Sequence, residues 1–350
     1  MSGRVLVLGA SGFTGRLICR NLESNHVDYT VAGRDEKKLN RLYPGNDNVI
    51  IDVQDKSQLD KHIKNYNILV NAVGPFNFFG YKVVRSAAEY GLTYLDISGE
   101  QYFVRFCLDK INKCAEETKA LIVNSCSFES LAADLLANEI CRKESDYENI
   151  SSFYHFLNPS SSLGTKLSMK LVRYFPTYLL KDGELKVAAP MSHQQEIEID
   201  GLADLNYASF VPYPEVLFFH KEYRVMNAAS FYLFEDRQSP PVTFYRKGSK
   251  ISLQTTMERF NRGKNINPTE EERKNQQFSL AVVSKNRNGE KKQILLRGSD
   301  MYNATAKLIA RCVKILIDEK TKVYGVKTPI QVFADRDLSN ILSEIGKLQR

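Results

Sequence analysis

Short apolar runs bounded by glycine, proline or polar residues recur through the first 130 residues. Val5 to Leu8 is the first, followed by a turn with three glycines and by apolar positions Leu17, Ile18 and Leu22 at helical spacing. Further runs predict strands at 28–34 (DYTVAGR), 48–53 (NVIIDV), 67–75 (NILVNAVGP), 93–100 (TYLDISGE) and 120–126 (ALIVNSC). Between them, DEKKLNRLY opens like a helix, and the stretch from Tyr81 to Tyr90 keeps helical spacing. Short buried strands separated by helices predict a parallel sheet covered on both faces, hence an α/β, Rossmann-type domain.

Near residue 145 the alternation stops. ISSFYHFL at 150–157, QQEIEID at 194–200, the aromatic stretch 216–234, VTFYRK at 242–247 and the pair QFSLAVV and KKQILLRG read as strands, the last two joined at an Asn288-Gly289 tip. A helix is expected from Leu163 to about Tyr174, stopped by Pro176, and a helix or loop over the charged segment 257–277. Strands joined directly by turns predict a second, α+β domain on a mainly antiparallel sheet. Helical patterns at 301–318 and 336–348 would return to the first domain. The expected division is a dinucleotide-binding domain at 1–145, completed by 301–350, and a substrate or dimerisation domain at 146–300.

Composition narrows the function classes. The length of 350 residues suits about two domains, and 43% hydrophobic residues suffice for their cores. The net charge of +7 is spread among acids instead of forming a stripe, which argues against nucleic acid as partner. No run of about 18 apolar residues offers a membrane span, and the N-terminus enters a strand without a signal sequence, so the expected compartment is cytoplasmic. The stretch 216–234 is the most lipid-like, but His220, Lys221, Glu222 and Arg224 interrupt it; membrane contact is the lesser alternative. Six cysteines contain no C-x-x-C pair and five histidines no H-E-x-x-H, so no metal site is expected.

The turn after the first strand carries the sharpest signal. In GASGFTG, Gly9 allows the tight turn, Gly12 lets a phosphate approach the backbone, and Gly15 lets helix and strand pack closely. Ser11, Phe13 and Thr14 share that turn, and its N–H groups at a helix start suit a pyrophosphate.

Ligands of open α/β sheets lie beyond the carboxyl ends of the strands. Strand two ends in Gly33-Arg34, where an arginine fork suits a 2′-phosphate and favours NADP; Asp35, one residue on, keeps NAD as the alternative. Asp52 and Val53 are placed to meet the adenine. Ala72, Val73, Gly74 and Pro75 are placed along a ribose. The ends of strands five and six fall nearest the nicotinamide, making Ser98, Glu100 and Asn124 the catalytic candidates by position; Ser98 and Glu100 are equally suited to capping the next helix.

These residues resemble the saccharopine dehydrogenase-like oxidoreductases, including the bacterial trans-acting enoyl reductases. The similar segments are GASGFTGRL at 9–17, AGR at 32–34, residues 71–100, NSCSFESLAADL at 124–135, GTKLS at 164–168, ATAKLIA at 304–310 and YGVKTPIQ at 324–331. Ser127 and Glu129 stand where that family usually carries glycine and aspartate. The resemblance implies a Rossmann-type domain and a nicotinamide-dependent oxidoreductase, and leaves the substrate open.

For the substrate, the aromatic and aliphatic segments 153–157, 171–180 and 216–234 favour an apolar, lipid-like or isoprenoid molecule reduced at a carbon–carbon double bond. A saccharopine-type amino acid needs clustered arginines, and Arg173 and Arg224 form no cluster in sequence. A nucleotide-binding sensor without turnover is the reading from another class, and a homodimer is allowed.

Overall fold

The computed structural model describes residues 4–141, 147–236, 267–319, 322–334 and 338–350, with side chains of 338 and 339 excepted. VTFYRK and most of 257–277 lie outside these residues. The chain divides into two units. The first comprises residues 1–99, 103–132 and 302–345; the second comprises 100–102, 133–301 and 346–350.

The chain begins with β1 (Val5–Leu8), α1 (Phe13–Ser24), β2 (Tyr29–Gly33), α2 (Glu36–Leu42), β3 (Asn48–Ile50), α3 (Lys56–Ile63), β4 (Ile68–Asn71), α4 (Phe76–Glu89), β5 (Thr93–Asp96), α5 (Gln101–Phe106), α6 (Asn112–Thr118) and β6 (Leu121–Val123). Every pairing among these strands is parallel. β1, β4 and β6 are buried at every position, as sheets covered on both faces require. Each predicted strand exists, with the predicted C-terminal extensions forming loops instead. Helix α4 begins at Phe76, five residues before the expected start, because Pro75 supplies its N-cap.

Helix α7 (Ser130–Cys141) starts in the first unit and continues into the second, where β7 (Tyr147–Leu157), α8 (Leu163–Leu171) with a short 3-10 turn to Tyr174, β8 (Tyr178–Lys181), β9 (Glu184–Val187), β10 (Gln194–Glu196), β11 (Tyr207–Val211), α9 (Glu215–Tyr223), β12 (Asn227–Phe234), α10 (Glu270–Asn275), β13 (Gln277–Asn286) and β14 (Lys291–Ser299) follow. The β13–β14 hairpin turns at Gly289, φ +86°. Then come α11 (Met301–Asp318), β15 (Gly325–Lys327), α12 (Pro329–Phe333), α13 (Leu338–Ile345) and β16 (Gly346–Gln349).

The first sheet runs β15-β6-β5-β4-β1-β2-β3; the second runs β10-β11-β12-β7-β13-β14-β16, with β8 beside β12 and β9 beside β8. The second sheet is antiparallel except where β12 meets β7. Its core gathers Phe153, Phe210, Phe231, Leu233, Ala281 and Leu295, with Phe153 stacked on Phe231 at 5.2 Å.

Two expectations are corrected and one strand is added. Residues 216–223 are helical, not stranded: a continuous apolar run, Val216 to Phe219, does not distinguish helix from strand, and Pro214 starts the helix here. The expected last helix stops at Ile345 and β16 follows, antiparallel to β14. A Cβ at position 346 would lie within 2.3 Å of the Arg297 carbonyl oxygen, so only glycine allows that pairing. Strand β15, parallel to β6, was not anticipated; three residues are too short for a period to show.

Candidate active site: the nucleotide cradle

The glycine turn is fixed by contacts that side chains would block. Gly9 has φ +78° and donates its N–H to Ala32 O at 3.0 Å. A Cβ at position 15 would stand 2.2 Å from Gly9 O, and one at position 9 would stand 2.9 Å from Val73 Cγ2. At position 12 a Cβ would meet only Gly9 O, at 3.0 Å, and otherwise point into open space. Helix α1 thus starts directly against β1, with no acidic residue in its first turn. Its N–H groups and the Ser11 and Thr14 hydroxyls, which bond to nothing among the described residues, fit a phosphate. Phe13 contributes backbone only, since its ring packs edge-on against Tyr302 at 4.9 Å.

Tyr43, at the end of α2, braces the turn by donating its hydroxyl to Ala10 O at 2.8 Å. Burial raises the Tyr43 phenol far above its ordinary range and pushes the nearby Cys19 thiol up to about 12. Both groups stay neutral at physiological pH.

Beyond β2, Arg34 is exposed and bonds to no other described residue. Asp35 is otherwise engaged: it caps α2, accepting from Lys38 N at 3.0 Å. That weakens the case for an acid on the ribose, because a capping carboxylate is already oriented toward the helix. Past β3, Asp52 is exposed, its Oδ1 accepting from Gln54 N at 2.9 Å, while Val53 is buried. Past β4, Gly74 is exposed, Ala72 and Val73 are half-buried, and Pro75 is buried. Asn71 fixes that loop, its Oδ1 accepting from Val73 N and its Nδ2 donating to Tyr94 Oη, both at 3.0 Å.

The ends of β5 and β6 meet at a residue to which no sequence signal assigned a role. Asp96 is fully buried, and its Oδ1 accepts from Ser98 N at 3.0 Å and Ser125 N at 2.8 Å. Its Oδ2 accepts from Asn124 Nδ2 at 2.7 Å, and its carbonyl from Cys126 N at 2.7 Å. Burial raises the Asp96 carboxyl, while these donors and the Tyr94 hydroxyl pull it down. Two catalytic candidates, Ser98 and Asn124, therefore come together around Asp96, and both are buried. Glu100 belongs to the second unit, where its Oε1 accepts from Ser168 Oγ at 2.9 Å. An acid closing an apolar strand was the only trace of Asp96 in the sequence; Tyr43 and Tyr302 left none.

Residues 5–137 match the family model described as the saccharopine dehydrogenase NADP-binding domain. A Caenorhabditis elegans protein named lipid droplet localized protein is 32% identical over 173 residues, covering 45% of this chain and 41% of that protein. A Bos taurus saccharopine dehydrogenase-like oxidoreductase is 31% identical over 152 residues, covering 37% and 35%. The matched stretch thus spans less than half the length of either relative. The fold of saccharopine dehydrogenase (L-Glu forming) from Saccharomyces cerevisiae superposes with a TM-score of 0.61 over 99% of both chains at 14% identity, a likeness of fold. Glycine turn and exposed arginine both fall inside the matched segment, and over residues 5–137 this chain is similar to the saccharopine dehydrogenase NADP-binding domain family.

Proposed function

We propose that the chain is an NADP-dependent oxidoreductase that reduces a carbon–carbon double bond in an apolar, lipid-like substrate. The observation that carries the cofactor reading is the 2.2 Å approach that only glycine permits at position 15, together with an exposed Arg34 that bonds to no other described residue. In this reading the turn from Gly9 to Gly15 holds the pyrophosphate, Arg34 the 2′-phosphate, Asp52 and Val53 the adenine, and Ala72 to Pro75 a ribose. NADPH, when bound, supplies the hydride. Ser98 and Asn124 orient the nicotinamide end, and Glu100, steadied by Ser168, is the candidate proton donor.

The apolar substrate is supported by how the described arginines of the second unit are used. Arg273 pairs with Asp300, Arg350 with Glu139, and Arg297 with the Gly201 carbonyl and Gln349. Arg173 and Arg224 are exposed. A substrate with several carboxylates would call for convergent guanidinium groups. The aromatic segments supply less support than their composition suggests, since Phe153, Tyr154, Phe218, Phe219 and Phe231 are buried in the unit's own core. No helix among the described residues is long and apolar enough to cross a membrane.

The test has two stages. Titration with NADPH and NADH should give tighter binding of NADPH; binding of neither below about millimolar, near −4 kcal/mol, removes the cofactor reading. NADPH oxidation should then be followed with α,β-unsaturated acyl or prenyl substrates and, separately, with saccharopine-type adducts. Turnover of the adducts alone would replace the enoyl reading with the amino-acid one. Cofactor binding without any turnover would favour a nucleotide sensor. A Glu100→Gln variant that keeps full turnover would remove Glu100 as the acid.

A further inference from the structure

The first sheet places β1 between β4 and β2. The glycine turn follows β1 and Arg34 follows β2, so the adenosine half of a dinucleotide lies over β1, β2 and β3. Its other half must then cross toward the ends of β4, β5 and β6, because ligands span the point where the strand order reverses. Asp96 sits on that second side and joins two strand ends. It holds Ser98 N of the β5 loop and both Asn124 Nδ2 and Ser125 N of the β6 loop. Ser125 is left-handed, φ +60°, a conformation that a residue other than glycine keeps only when its surroundings impose it. Three side-chain atoms of the same loop, Asn124 Oδ1, Ser125 Oγ and Ser127 Oγ, are buried without partners among the described residues. A carboxamide reaching that loop would find one acceptor and two hydroxyls unclaimed, which matches its own amide donors and carbonyl.

We infer that Asp96 is a positioning residue for the nicotinamide half of the cofactor, acting through the Asn124–Ser127 loop; this rests on the NADP reading above. The carboxylate touches no ligand itself. It sets the backbone and side chains that do.

The experiment compares two probes on the full chain: NADPH, and 2′,5′-ADP, which has the adenine half alone. In Asp96→Asn the new amide keeps its oxygen toward Ser98 N and Ser125 N, and its nitrogen then faces Asn124 Nδ2, donor against donor. NADPH affinity should fall about tenfold or more, while 2′,5′-ADP stays within about twofold. Adding Asn124→Asp restores an acceptor at that contact and should return NADPH to within about threefold of the parent. If Asp96→Asn does not fold, Asn124→Ala carries the test: it leaves both backbone bonds to the Asp96 carboxylate, and NADPH alone should weaken, by about threefold or more. Equal losses for both probes, or no loss in either, would overturn the inference. A parent protein that binds neither probe would remove the NADP reading and this inference with it; one that binds 2′,5′-ADP keeps that reading whatever the variants do.

Discussion

Replacing Gly15 with alanine should separate the packing role of the third glycine from the binding role proposed for the second. The new Cβ would lie 2.2 Å from Gly9 O, 2.9 Å from Gly9 C and 3.1 Å from Ala10 Cα, all backbone atoms that cannot rotate away. The deficit is about 0.8 Å against the closest approach real Cβ atoms make, so α1 must move off β1. Overpacking against backbone belongs at the upper end of the usual range, about 3 kcal/mol, and alanine's better helix propensity returns about 1 kcal/mol. The net loss is about 2 kcal/mol, or roughly 4 to 8 °C in Tm for a unit of this size. Gly12→Ala meets only Gly9 O, at 3.0 Å, and should cost less than about 1 kcal/mol while its methyl occupies the phosphate position. Thermal unfolding by circular dichroism reads the first effect. The emission of NADPH reads the second, since the chain has no tryptophan to quench. A Gly15→Ala protein with parental Tm, or a Gly12→Ala protein with parental NADPH affinity, would refute this account of the turn.

Arg34→Ala should weaken NADPH by roughly 1.5 to 3 kcal/mol and leave NADH nearly unchanged, measured by calorimetric titration; equal losses would remove the phosphate contact. Arg273→Met takes the guanidinium from Asp300 at a site where the two side chains are 8% and 14% exposed, and should lower stability by about 3 kcal/mol in urea titration, against a surface pair such as Lys274–Glu270, whose loss should be below 1 kcal/mol. Burial holds His155 below its ordinary 6.5, with Glu235 opposing. The unfolded chain therefore takes up the proton first, so stability should fall as pH drops through 6.5 toward the folded value, and His155→Gln should flatten that part of the profile.

What the sequence made legible follows from which interactions are local. β1, the glycine turn and α1 are adjacent in the chain, and their period and glycine spacing state the geometry directly. The position of Arg34 just past β2 was legible because a strand end is a defined place in a parallel sheet. Asp96 was not, because its partners Asn124 and Ser125 lie 28 and 29 residues away and reveal themselves only when β5 and β6 pair. Tyr43 over Ala10 and Tyr302 against Phe13 are hidden for the same reason, across 33 and 289 positions. The error at 216–223 is of another kind: Val216 to Phe219 are all buried, and a run with no polar interruption has no period to read.

The interleaving of the two units has a consequence for biosynthesis. Residues 302–345 complete the first unit, yet they are made after residues 133–301, the bulk of the second. While a ribosome is still building the second unit, β6 has no β15 at its side, and the main-chain groups that will bond to Gly325–Lys327 stand open. The nascent nucleotide domain must therefore wait, with an unprotected sheet border, while the 201 residues between Val123 and Gly325 are added, the interval in which a chaperone would find the most to hold.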